Sequence, residues 1–134
     1  MKLAKISDRI LAFMIDFLIY AFILFIFGYF FGEVNSEKNG FQITGFPALI
    51  LFLIGIGLWP MHEAFTGQTF GKKIVGIKVV DKNFKEISAS MAFLRFGLGL
   101  FDCFFLIGLL IASSSKNNQR IGDSVAETYV MDIN

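Results

Sequence analysis

One cysteine, one histidine, one tryptophan and two prolines occur in the 134 residues, and the net charge is only +1. Cys103 alone permits no intrachain disulfide, and with His62 it leaves too few ligands for a zinc site built from this chain. So small a charge excess implies no broad basic surface for nucleic acid. No serine or cysteine sits in a pattern that supplies a base, and Ser113 to Ser115 read as a helix terminus, so no enzymatic activity is expected. The stretch "GQTFGKK" has the look of a phosphate loop. However, Gly67 and Gly71 enclose three residues where a nucleotide loop needs four, and Lys73 stands where the magnesium-holding hydroxyl belongs. Neither a cofactor nor a nucleotide is therefore expected, and Lys72 and Lys73 are assigned to contact with anionic lipid or a partner protein.

What the chain has is apolar length. Hydrophobic residues make up 55%, with 18 phenylalanines, and the mean hydropathy is +0.67, more apolar than one soluble core requires. From Ile10 to Phe31 there are 22 residues with Asp16 as the only charge, and from Gly40 to Met61 another 22 with none. Either run, as a helix rising about 1.5 Å per residue, spans a hydrocarbon core of about 30 Å. The first lacks a small-residue cleavage pattern and reads as a retained anchor, not a signal peptide. The expectation is an all-α membrane protein, one domain over 1–134, with about three transmembrane helices near 10–31, 46–65 and 89–112 and a short cytoplasmic strand or β-hairpin. Lys and Arg number three in the first nine residues and five from Thr66 to Ser88, but one from Glu33 to Gly45. That bias places the N-terminus and the long loop in the cytoplasm and the solvated 33–45 loop outside, in a multi-pass protein of the cell (inner) membrane. Pro47 suits the first turn of the second helix, while Pro60 should loosen it just before His62 and Glu63.

"IVGIKVVD" is β-branched and nearly alternating, and Lys82-Asn83 follows as a turn. "AETYVMD" near the end could also be a strand. The two can pair only on one face of the membrane, which a complete third span forbids and a re-entrant third segment allows. Only Cys103 to Ala112 of that segment is continuously uncharged and apolar, so both readings stand.

Charges inside the apolar segments carry the functional question. Arg9 to Asp16 and Arg95 to Asp102 are both spaced i, i+7, so each pair shares a helix face about 10.5 Å apart in depth. If both segments start from the cytoplasm, the arginines share one level and Asp16 and Asp102 a deeper one, while His62 and Glu63 reach the same leaflet. An isolated charge at mid-bilayer costs about 2.5 to 3.5 kcal/mol on insertion scales, which drives such groups together. Two aspartates at one depth would form a coupled pair able to exchange protons or a cation. The same constellation also serves as a set of structural clamps with no transport.

"RILAFMID", "EAFTGQTFGKKIVGIKVVD", "FLRFGLGLFD" and "QRIGDSVAETYV" together resemble, in order and over nearly the whole chain, the RDD family of small membrane proteins. The family is named for one arginine and two aspartates. The resemblance places that trio on Arg9, Asp16 and Asp123, adds Arg120 as the start of the closing Arg-x-x-Asp motif, and departs from the family at Glu127. It implies candidate transporters, some associated with sodium or proton exchange, and in other members membrane subunits of larger assemblies. The resulting expectation is a homo-oligomer that moves Na+ or H+ with Asp16, Asp102, Asp123 and Glu63 as binding carboxylates and Arg9, Arg95, His62 and Arg120 as their charge partners. The alternative is a non-transporting assembly or adaptor subunit bound to a membrane partner.

Overall fold

The computed structural model describes residues 2–35, 40–105 and 119–133, with side chains throughout except at 34, 35, 41 and 101–105. Its longest element is α1, Ile6–Phe31, 26 residues with a mean hydropathy of 2.7 over its most apolar window. At about 1.5 Å per residue it is about 39 Å long. Only Arg9, Ala12, Asp16 and Gly28 are buried on it, and the first three fall on one stripe. Phe17, Phe22, Phe25, Tyr29 and Phe30 are 56 to 71% exposed. A core helix of a water-soluble protein buries its aromatics; α1 turns them outward and buries its charges, the inverse pattern that lipid demands.

Strands β2 (Glu33–Asn35) and β3 (Gly40–Gln42) pair antiparallel after α1, with Val34 opposite Phe41. The sequence reads as a plain solvated loop there; the adjoining helix ends bring the two segments side by side, and each offers one apolar residue between polar neighbours. Helix α2, Gly45–Ile56, continues through a π-helical turn, Gly57–Met61, into α3, His62–Thr66. The turn is the effect of Pro60, which has no N–H to give and would collide with the carbonyl one α-turn earlier. The His62 N–H reaches back five residues to the Gly57 carbonyl instead. The combined helix, Gly45–Thr66, is the second one long and apolar enough to cross a membrane. It packs on α1 where the Tyr20 hydroxyl donates to the Leu51 carbonyl at 3.1 Å.

Gly67, in the left-handed conformation with φ 70°, ends α3, and a Cβ there would stand 2.8 Å from the Val79 carbonyl oxygen. Helix α4, Phe70–Val75, and strand β4, Ile77–Asp81, follow; then Ser88 caps α5, Ala89–Phe105, by accepting from the Met91 N–H at 3.3 Å. A five-residue helix α6, Ile121–Val125, leads into β5, Thr128–Asp132. With β1, Lys2–Leu3, these form a three-stranded sheet of order β1-β5-β4, antiparallel throughout. Ile77, Val79 and Val130 from the sheet pack with Ala4, Ala12, Ile87 and Ala92 in one apolar core.

The architecture is therefore mainly helical, with a real sheet where an all-α protein was expected. "IVGIKVVD" forms a strand and pairs with β5 from "AETYVMD", over forty residues later, the long-range one of the two arrangements open in the sequence and not the local hairpin; Asp81 closes the following turn by accepting from the Asn83 and Lys85 N–H groups, both at 2.8 Å. Among the described residues two helices are long and apolar enough to cross a membrane; in the third expected segment the apolar stretch whose side chains are described is Ala89–Leu100. The far end of the third expected segment, 106–112, lies outside the described residues.

Candidate functional site: a buried ionic cluster

Asp16 sits in an oily helix because α4 points its N-terminus at it. The Thr69 hydroxyl donates to one carboxylate oxygen at 2.5 Å and the Gly71 N–H to the other at 2.7 Å. Thr69 also caps its own helix, its hydroxyl oxygen accepting from the Lys72 N–H. A carboxylate at a helix N-terminus completes backbone donors that would otherwise go unmatched in an apolar setting. The approach is close: a Cβ on Gly71 would fall 2.0 Å from the Ala12 carbonyl oxygen.

One helical face away, a series of ion pairs runs without a break. Arg9 pairs with Asp123, which also accepts from Arg95 Nη1 at 2.6 Å; Arg95 Nε donates to Glu63 at 2.8 Å; and Glu63 pairs in turn with Lys72. Arg95 also donates to the Thr128 hydroxyl at 2.5 Å, and the Arg120 backbone N–H gives Asp123 a third bond at 3.1 Å. Five elements are thereby joined through charge: α1, α6, α5, α3 and α4. Arg9, Asp16, Glu63, Arg95 and Asp123 are all at most 9% exposed, so each would be costly alone and is compensated here by direct donors or acceptors. Burial by itself would raise the Asp123 carboxyl, but Arg95 and Arg9 outweigh it and hold the group at about 2. Burial draws the Lys72 ammonium below the ordinary lysine range, and Glu63 beside it offsets this only in part.

A carboxylate held below its free value contributes stability that is fully present above its unfolded pKa, 3.8, and fades as pH falls toward about 2. Asp123 should account for about 2 kcal/mol of that acid-labile stability. Thermal unfolding in detergent between pH 5 and pH 2 checks this: the Asp123→Asn variant, already destabilised at pH 5, should show a shallower pH dependence than the parent chain, and parallel curves would contradict it.

The expected site residues divide as follows. Arg9, Asp16, Glu63, Lys72, Arg95, Arg120 and Asp123 line a single cavity of about 260 Å³ with an aromatic upper wall that includes Phe13, Phe17, Trp59 and Phe96. Lys72 faces inward, so of the two lysines assigned to surface contact only Lys73 is exposed. His62 stands apart from the carboxylates: its Nδ1 lies 2.6 Å from the Gln68 carbonyl oxygen, and its ring stacks on Phe70 with centroids 4.6 Å apart. An Nδ1 at that distance from a carbonyl carries the proton. Asp102 lies on α5, but its side chain, and with it the expected pairing with Asp16, lies outside those described. Arg9 shares the buried stripe of α1 with Asp16 and bonds to Asp123.

Thr69, Gly71 and Thr128 were not expected at the site. Two of them carried a signal, since Thr followed by a short lysine-bearing helix is a cap pattern and a lone glycine inside such a helix marks close backbone approach. Thr128 offered none. Among the described residues no three His, Cys, Asp or Glu side chains gather as metal ligands.

Two long apolar helices with outward aromatic faces, tied through buried charge to a small sheet, define a membrane-associated helical domain. The chain belongs to the RDD family, whose family model matches residues 3–127. No curated protein and no solved structure matches it significantly.

Proposed function

We infer that the chain is a multi-pass inner-membrane domain that serves as a non-enzymatic assembly or adaptor subunit, its buried charges fixing the packing of short elements. The observation that carries this reading is the unbroken ionic series Arg9, Asp123, Arg95, Glu63, Lys72. Two of the cavity's three carboxylates are committed within it, and a group that must bind and release a cation gains nothing from three competing donors. The sheet supports this topology. Because β1, β4 and β5 are hydrogen-bonded neighbours, the chain crosses the bilayer an even number of times between each pair. Crossings by α1 and by Gly45–Thr66 satisfy the first interval. The lysine and arginine excess puts the sheet and the N-terminus in the cytoplasm. Phe70, Lys73 and Ile74 are exposed on the outer side of α4 and provide a basic, apolar face for a membrane partner.

A second reading, cation or proton exchange in a homo-oligomer, is favoured by one observation: Asp16 is the cavity carboxylate that meets no basic side chain among the described residues. Liposomes containing the full chain and a pH-sensitive dye separate the two. We expect no cation-dependent proton flux above that of empty liposomes; a Na+-dependent flux abolished in Asp16→Asn would establish exchange and overturn the adaptor reading. For the adaptor reading itself, the full chain purified in mild detergent should retain a stoichiometric membrane partner that is lost in Lys73→Glu, and purification as a self-contained oligomer would contradict it.

A further inference from the structure

The cavity floor carries four basic groups, Arg9, Lys72, Arg95 and Arg120, against three acidic ones, Asp16, Glu63 and Asp123. The first three basic groups are engaged in the ionic series. Arg120 is not: its guanidinium has no carboxylate partner among the described residues, and its Nε is enclosed with no hydrogen-bond acceptor. Arg120 as a whole is half-buried, but a buried arginine N–H without an acceptor is rare in folded proteins. An anion supplies that acceptor. The apolar wall says what kind. Phe13 and Phe17 on α1 and Leu100 on α5, which are 41, 56 and 55% exposed, line the same cavity, so it runs continuously onto the acyl-facing surface of the protein. No free anion would need that wall.

The geometry points to a binding site for the phosphate headgroup of one anionic membrane phospholipid, its phosphate on Arg120 and its upper acyl chain against Phe13, Phe17 and Leu100. The site is independent of whether the domain is an adaptor or an exchanger. Gly99 lines the cavity, and a Cβ added to it meets nothing within 4 Å, so Gly99→Leu fills the space without disturbing the ionic series. The single tryptophan, Trp59, also lines the cavity and reports on it.

The test is a titration of the full chain, delipidated in mild detergent, with dibrominated phosphatidylglycerol and dibrominated phosphatidylcholine, followed by quenching of Trp59. Saturable quenching by the anionic lipid at a concentration at least about tenfold lower than by the zwitterionic one is expected. Arg120→Gln should remove most of that preference and Arg120→Lys should retain part of it; Gly99→Leu should abolish saturable quenching while the circular dichroism spectrum stays unchanged. Equal quenching by the two lipids overturns the proposal, as does an Arg120→Gln variant with undiminished preference. Millimolar inorganic phosphate is the competing arm: displacement of the lipid by it would identify a free-phosphate site and overturn the lipid assignment, and persistence of the lipid supports it.

Discussion

Changing Arg95 to glutamine should lower the unfolding free energy by about 3 to 5 kcal/mol, the largest loss from any single charge in the cluster. Arg95 is the central member of the series: it bonds Glu63, Asp123 and the Thr128 hydroxyl at 2.8, 2.6 and 2.5 Å. Its removal leaves two buried carboxylates short of donors, Glu63 with Lys72 as its remaining partner and Asp123 with Arg9 and the Arg120 N–H, so the desolvation of both is compensated only in part. The penalty is the loss of donors to two buried carboxylates, so it should depend on whether those carboxylates are there. Glu63→Gln should cost less in the Arg95 variant than in the parent chain, where it also breaks the Arg95 bond, and the difference should be about 1 kcal/mol or more, the coupling expected of residues in one network. Unfolding in mixed micelles, read by circular dichroism across the four members of the cycle, gives both numbers. A single-variant loss below about 1 kcal/mol, or strict additivity in the double variant, would show that the ions are neighbours without being partners.

How far the sequence leads to this cluster depends on whether the interaction is local. The stripe Arg9, Ala12, Asp16 is legible because helical period alone puts those residues on one face, and the softening at Pro60 is legible because the missing N–H is a property of the residue. Strand β4 shows in its β-branched alternation. The partners do not show. Arg9 meets Asp123 across 114 residues, and Asp16 meets Thr69 and Gly71 across 53 and 55; no periodicity links such positions. The i, i+7 spacing of Arg95 and Asp102 suggested a depth relation with α1, but depth does not choose partners. What chooses them is the pairing of β4 with β5, which draws α6, and with it Asp123, back against α1 and α5. The family resemblance pointed to Asp123 where spacing did not, because a motif carries tertiary information that one helix face does not.

The pairing of α4 with α1 gives the second large prediction, since it sets two opposed effects against each other at one residue. In an exposed helix, glycine to alanine stabilises by up to about 1 kcal/mol through helix propensity and reduced freedom of the unfolded chain. Gly71→Ala should do the reverse, costing about 3 kcal/mol or more. Its Cβ would lie 2.0 Å from the Ala12 carbonyl oxygen and 2.9 Å from the carbonyl carbon, both backbone atoms of α1 that cannot turn aside. Helix α4 must then retreat by more than an ångström, which stretches the 2.7 Å bond from the Gly71 N–H to Asp16 and the 2.5 Å bond from Thr69 beyond hydrogen-bond range. Asp16 would be left as a buried charge with neither donor. Gly99→Ala is the internal control, also helical but with nothing within 4 Å of the new methyl, and it should be neutral or slightly stabilising. Melting temperatures of the two variants in the same detergent decide the matter: a clear drop for Gly71→Ala beside an unchanged or higher value for Gly99→Ala is expected, and equal behaviour would mean that α4 does not rest on α1 closely enough to hold the Asp16 carboxylate.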